Sequence, residues 1–283
     1  MPKANHSFLP YQEIYGILVT EKAAAVRGEQ MTQELLSIVT PVYNAENYIL
    51  ETMQMVLSQT YQNWELLLVN DASTDRSSQV IEDYLKKNPD SRIHLIQQEQ
   101  NSGAAAARNR GIAEAEGRYL AYLDADDIWL PEKMEKELAF MEEKQAAFVC
   151  CSYEFGDEHA KGTGRIVHVL PELTYRKALS RTIIFTTTVV FDLTRITKEQ
   201  ITMPLVKSED TASWWSILRQ GYTAYGLDEV LAIYRRPKKS LSSNKLEAMK
   251  RIWNLYRRQE HLNLFQSSWY FCFWAWRATM RRI

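Results

Sequence analysis

Tyr119-Leu-Ala-Tyr-Leu-Asp-Ala-Asp-Asp-Ile-Trp-Leu-Pro131 reads as a buried strand that runs straight into three carboxylates, Asp124, Asp126 and Asp127, before Pro131 opens a helix. Acids this close together at the carboxyl end of a strand repel one another and desolvate badly, so they must be solvated or neutralised by a cation. A hard divalent ion such as Mg²⁺ or Mn²⁺, held by one or two carboxylates with phosphate oxygens completing its shell, is one such neutraliser. A polar turn with an Asx-type helix start accounts for the same residues without a ligand. The triplet by itself does not choose between them.

Upstream, the pattern alternates strand and helix. Leu35 to Thr40 is a short β-branched strand ended by Pro41, and Asn44 caps a helix from Ala45 to about Ser58. Trp64 to Val69 is a second strand, too apolar for a half-exposed edge and suited to a parallel sheet covered on both faces. The turn Asn70 to Asp75 leads to a helix from Ser77 to Lys87. A third strand, Ile93 to Gln97, leads through Asn101-Ser-Gly103 to a helix from Ala104 to Ala115. The quoted strand and a helix from Pro131 to Gln145 complete the run, which predicts an α/β fold with a doubly wound parallel sheet.

After Phe148 the spacing becomes irregular. Phe148 to Glu154, Ile183 to Asp192 and Thr223 to Leu227 read as strands, and Gly156 to Gly164 as a polar hairpin or loop. Glu209 to Gln220, Lys245 to Gln259 and Leu262 to Met280 read as helices. The expected division is a weakly patterned extension over 1–33, a main domain over 34–234 split near 130, and a lid with C-terminal helices over 235–283. Strong patterning begins only at Leu35, which makes Met31 a candidate start.

The 283 residues are sufficient for one sizeable core, and the net charge of -1 conceals an asymmetry. Residues 235–283 carry 12 Lys and Arg against 2 Glu, or +10, which leaves -11 for the remainder. An acidic body with a basic tail points to an anionic neighbour such as a membrane, and no nucleic acid partner is expected. Cys150, Cys151 and Cys272 lack metal-ligand spacing and suit a reducing, cytoplasmic setting. Neither a signal peptide nor an apolar run of about 18 residues is present.

In such a sheet, ligands sit outside the carboxyl ends of the strands, which places Pro41 to Asn44, Asn70 to Asp75, Asn101 to Arg110 and Asp124 to Asp127 around one crevice. Tyr43 is suited to stack on a base, Asp71 to accept from base or ribose, Arg108 to face phosphate, and the Asp cluster to hold a metal. Each also has a structural reading: strand stop, helix cap, or surface charge.

Taken together, Thr40-Pro-Val-Tyr-Asn44, Gln59-Thr-Tyr-Gln-Asn-Trp-Glu65, Val69-Asn-Asp-Ala-Ser-Thr-Asp75, Asn101-Ser-Gly-Ala-Ala-Ala-Ala-Arg-Asn-Arg-Gly111 and Leu123-Asp-Ala-Asp-Asp-Ile-Trp-Leu-Pro131 resemble the catalytic domain of family 2 glycosyltransferases. The resemblance implies the GT-A fold, a sugar-nucleotide donor, and metal-dependent, inverting transfer with Mn²⁺ or Mg²⁺. It puts Pro41, Tyr43 and Asp71 at nucleoside-binding positions, Asp124 at ribose or metal, and Asp126 at the metal, with Asp127 in support. It also implies a general base at Asp210, supported by Glu209. Asn70 departs from the family, where a second Asp is common. Tyr234-Arg235-Arg236 and Ser240 to Ser243 resemble the family's flexible lid, with Arg235 a candidate for phosphate. A polysaccharide setting, with a glycan or polyprenyl-diphosphate-linked glycan as acceptor, follows from the same resemblance.

Trp269-Tyr-Phe-Cys-Phe-Trp-Ala-Trp276, followed by Arg277, Arg281 and Arg282, has the makeup of an interfacial anchor on the inner face of the cell membrane, or of a packing helix. A sugar-phosphate nucleotidyltransferase would need a Gly-rich, basic signature after the first strand, and a dehydrogenase G-x-G-x-x-G there; Thr40 to Asn44 has neither. A non-catalytic carbohydrate-binding protein is the remaining alternative.

Overall fold

The computed structural model describes residues 34–236 and 245–280. The 1–33 extension with Met31, and the Ser240 to Ser243 part of the expected lid, lie outside the described residues. Strands β1 (Leu36–Val42), β2 (Trp64–Asn70), β3 (Ile93–Gln97) and β4 (Tyr119–Tyr122) alternate with helices α1 (Ile49–Leu57), α2 (Ser77–Lys87) and α3 (Ala104–Glu114). The second half contains β5 (Ile128–Trp129), α4 (Lys133–Lys144), β6 (Phe148–Gly156), β7 (Gly162–Val167), β8 (Glu172–Leu173), α5 (Tyr175–Leu179), β9 (Val189–Asp192), α6 (Lys198–Ile201), α7 (Glu209–Arg219) and β10 (Ala224–Arg235). Helices α8 (Lys245–Asn254) and α9 (Leu264–Met280) follow.

The strand order is β3-β2-β1-β4-β9-β6-β10-β5, with β7 on β6 and β8 on β10. From β3 to β4 every pairing is parallel, in keeping with the buried apolar runs of β1, β2 and β4, while β3 at the edge is partly exposed. Beyond β4 the sheet is mixed, because β9 enters antiparallel to both β4 and β6. Strand order reverses at β1, which leaves a crevice at the carboxyl ends of β1 and β4.

Three local differences from expectation matter for the site. First, β1 runs through Pro41 to Val42. Pairing with β4 ends at Val39, and Pro41 faces the same side, so its missing N–H costs no ladder bond. Second, only Val189–Asp192 of the expected Ile183 strand is extended; a short helical turn, Thr186–Thr188, precedes it. Third, β10 continues to Arg235 through two register shifts instead of stopping at Leu227. The bulged strand reaches β5 and delivers Arg235 to the carboxylate turn.

Close packing fixes the helices to this sheet. A Cβ on Gly111 would meet Val39 Cγ1 at 2.3 Å, so only glycine lets α3 approach β1 this closely. Trp214 of α7 packs among Tyr122, Phe148 and Phe191, with ring centroids 5.6–6.2 Å away. These rings come from β4, β6 and β9, so one aromatic wedge locks α7 to the strand that leads into Asp124.

At the far end of β9, the fully buried Asp192 accepts bonds from Arg118 (2.9 Å) and from the Thr194 amide and hydroxyl. Burial pushes this carboxyl up, yet those bonds prevail and hold it below the usual range. Its stabilisation is therefore complete above the unfolded value of about 3.9 and is lost as pH falls through the depressed folded value. Asp192→Asn is expected to cost about 2 kcal/mol at pH 7. In denaturant unfolding the gap from wild type should narrow in acid, as pH falls below the unfolded value and through the depressed folded one.

Candidate active site

The loops after β1, β2 and β3 are knitted into one rim. Asn44, with a left-handed φ of 52°, donates its amide to Ser73 Oγ, and its side chain accepts from the Thr74 amide at 2.9 Å. Asp75 accepts from the Glu46 and Ser77 amides, and Glu46 in turn accepts from the Arg76 amide. Asn70 donates to Ser78 and Gln97 and accepts from Ser73, so the departure from the family's acid serves as a local brace. Asp71 is buried, and its two carboxylate oxygens accept from the Ser102 and Gly103 amides at 2.8 Å each. On this rim Tyr43 stands 51% exposed.

The carboxylates sit on a tight turn closed by the Asp127 amide donating to the Asp124 carbonyl. Thr187 braces it from β9's leading turn: its hydroxyl donates to Asp127 Oδ2 at 2.7 Å and accepts from the Asp124 amide at 3.2 Å. Asp127 also accepts from the Arg235 amide at 3.1 Å. Burial, with the charges of Asp124 and Asp126, pushes the Asp127 carboxyl well above its ordinary range. Asp126 is raised too, by burial first and then by Asp124. Both shifts favour the neutral acids, so full ionisation of the turn calls for a cation.

Two arginines flank it. Arg235 bonds through Nε to the Asp126 carbonyl and through its terminal nitrogens to Glu51 and the Glu158 carbonyl. Arg108, 5% exposed, reaches Asp124 at 2.6 Å with one terminal nitrogen and Glu209 at 3.4 Å with the other. Burial opposes its charge, but Asp124, Glu209 and Asp210 together strengthen it. Glu209 is raised by burial and by the adjacent Asp210. Beside Arg108, Asn109 makes a reciprocal pair with the Met203 backbone, donating to its carbonyl at 2.8 Å and accepting from its amide at 2.7 Å. That pair holds the segment leading into α7, whose first turn presents Glu209 and Asp210. One Asp210 oxygen accepts from the Thr211 amide at 2.6 Å.

The structure thus brings Asp124, Asp126, Asp127, Arg108, Glu209 and Arg235 into one continuous network, with Asp210 beside it. It differs from expectation at the arginines: in this arrangement both guanidinium groups bind protein acceptors and neither is directed at open space for phosphate. Asp71 likewise acts as a brace between loops. Glu51, Asn109 and Thr187 were not singled out from sequence. Among the described residues no group of three or more His, Cys, Asp or Glu is arranged to hold a metal by itself. Two hard carboxylates, Asp124 and Asp126, nevertheless fit an ion that draws the rest of its shell from a ligand's phosphates.

Asn109→Ala is expected to cost about 1–3 kcal/mol, because it leaves a buried backbone donor and acceptor unpaired. Amide hydrogen exchange should show the loss as faster exchange over residues 203–210.

Residues 37–202 match the model for glycosyl transferase family 2. A putative teichuronic acid biosynthesis glycosyltransferase of Bacillus subtilis is 42% identical over 88% of this chain and 98% of its own. An Escherichia coli UDP-Glc:α-D-GlcNAc-diphosphoundecaprenol β-1,3-glucosyltransferase is 36% identical over 80% of this chain and 86% of its own. The fold matches a mannosyltransferase of Pyrobaculum calidifontis solved with GDP-Man and Mn²⁺, at 18% identity and a TM-score of 0.63, over 89% of this chain and 71% of that one. With the expected motifs gathered at the carboxyl ends of a GT-A sheet, the chain belongs to glycosyl transferase family 2.

Proposed function

We propose that this glycosyltransferase moves a sugar, with inversion, from a UDP-sugar to a hydroxyl of a growing cell-surface glycan carried on polyprenyl diphosphate. The observation that carries the reading is the Arg108 bridge, which ties Asp124 of the carboxylate turn to Glu209 beside Asp210. Similarity to the teichuronic acid and diphosphoundecaprenol enzymes supports the class of acceptor.

Tyr43 stacks on the base, Pro41 and Asp71 shape the nucleoside pocket, and Asp124 takes the ribose or shares the ion held by Asp126. Mn²⁺ or Mg²⁺, when bound, supplies charge stabilisation to the departing diphosphate. Asp210 takes the proton of the acceptor hydroxyl while its oxygen bonds to the anomeric carbon. The bond from that carbon to the diphosphate breaks in the same displacement, releasing UDP without an enzyme-bound intermediate. Glu209, held by Arg108, orients the base. Arg108 and Arg235 keep the carboxylates in place; for either to meet phosphate, it must first release a protein partner.

Asp126→Ala is expected to abolish metal-dependent donor binding in calorimetry. Asp210→Asn should preserve donor affinity while transfer falls by at least ~100-fold. A chain that binds donor but turns over none, in wild type as in Asp210→Asn, is a sugar-nucleotide-binding protein instead.

The acceptor reading places the protein in the cytoplasm, on the inner face of the cell membrane. No helix among the described residues is long and apolar enough to cross a bilayer. Helix α9 instead displays Phe265, Trp269, Phe273 and Trp276 at helical spacing along one face, at 78%, 56%, 37% and 60% exposure. Its other face is packed: Tyr270 lies near Tyr256, Phe271 near Trp253, and Trp274 is buried. The occupant of the open face is an anionic bilayer, since residues 235–283 carry a net +10 and a second copy related by a two-fold axis would bring like charge against it. Trp269→Ser with Trp276→Ser should cut sedimentation with phosphatidylglycerol vesicles about tenfold while sparing UDP binding. Unchanged sedimentation rejects the membrane face.

A further inference from the structure

Arg181 differs from the arginines that carboxylates hold. Arg92, Arg108, Arg118, Arg195 and Arg219 each pair with a carboxylate, as does Arg235. Among the described residues no carboxylate, carbonyl or ring partners the Arg181 guanidinium. Its protonated form is disfavoured by burial first and by repulsion from Arg277 second. A cation withdrawn from water beside a second cation is unfavourable unless an anion completes the site.

The surroundings place a second guanidinium and two hydroxyls near it. Arg277 of α9 is anchored to the Ser180 carbonyl at 3.2 Å and the Ser180 hydroxyl at 2.6 Å, and Trp274 Nε1 donates to Thr182 Oγ1 at 3.3 Å. Ser180, Arg181 and Thr182 are therefore held against the tail helix. Arg181 and Thr182 lie at the mouth of a shallow hollow of about 10 Å³, lined also by Ile183, Trp214 and Trp215 and bordered by Thr211. Thr211 immediately follows Asp210, so the hollow adjoins the proposed base.

The tail's course brings a membrane to the same place. Lys207 pairs with Glu247, Trp215 stacks on Tyr256 at 5.1 Å, and Arg219 pairs with Glu260, so α8 and the wide turn Leu255–Gln259 run parallel to α7. Helix α9 returns antiparallel, as its Trp253–Phe271 and Tyr256–Tyr270 contacts require. Its carboxyl-terminal half thus ends beside the amino-terminal end of α7, with the aromatic stripe on its outer face and Arg277 turned inward.

We propose that Arg181 and Arg277 form a phosphate subsite on the acceptor side, taking the diphosphate of a prenyl-linked acceptor while its chain follows α9 into the bilayer. Guanidinium groups with nearby hydroxyls suit a phosphate ester. This inference rests on the lipid-linked acceptor reading.

The test is calorimetric titration of farnesyl diphosphate into the full chain with UDP and Mg²⁺ held at saturation, so that the donor site is filled. Wild type should bind. Arg181→Gln should weaken binding about tenfold, and Arg181→Lys should restore part of the loss. UDP affinity and sedimentation with phosphatidylglycerol vesicles should stay unchanged in both variants, which also shows that they fold. No binding by wild type, or equal binding by Arg181→Gln, overturns the subsite. If Arg181→Gln lowers vesicle sedimentation but not farnesyl diphosphate binding, the site belongs to a phospholipid headgroup and the acceptor assignment falls. Wild type that fails to bind UDP instead overturns the donor reading, and farnesyl diphosphate titrated alone then still decides the subsite.

Discussion

The carboxylate turn at Asp124 to Asp127 concentrates charge where the sheet is least able to solvate it, and the surrounding chain is arranged to contain that charge. Arg108 approaches from α3, Arg235 from the end of β10, and Thr187 from the turn before β9. The Asp126 and Asp127 carboxyls lie above their ordinary range, through burial first and the neighbouring acids second. A cation has something to gain there, and a donor bringing phosphate has an ion to share.

The same containment orders the catalytic half. Because Arg108 holds Asp124 and Glu209 together, the charge at one end of the crevice is felt at the other. Asn109, its neighbour on α3, fixes the chain entering α7, and the ring of Trp214 fixes the helix itself against β4, β6 and β9. The carboxylate turn and the first turn of α7 are thus referenced to one helix and one strand, which limits how far Asp210, the proposed base, can drift from Asp124.

Much of this was legible from contiguous residues. The apolar runs of β1, β2 and β4 are strands buried on both faces, and the loops between them contain the polar residues that a crevice at the strand ends requires. Asp124, Asp126 and the Glu209-Asp210 pair fall where the motifs put them, while their chemical roles rest on the proposed function. What sequence concealed are pairings across long separations. Arg235 meets Glu51 from 184 residues away, and Thr187 meets Asp127 from 60. No local periodicity encodes such contacts, so Arg108 and Arg235 looked like free cations when they are committed to carboxylates and carbonyls. The length of β10 was hidden for a related reason: its register shifts interrupt the alternation that identifies a strand.

The turn that opens the sequence reading is completed only by later chain. Its brace, Thr187, precedes β9, and its flanking cation closes β10, the strand on which β5 depends for pairing. During synthesis from the amino terminus, the nucleotide-facing loops can assemble early from local crossovers, whereas the crowded acids lack their full bracing until residue 235 has emerged. The site therefore matures last, and a nascent chain has a folded donor half before it has a finished catalytic centre.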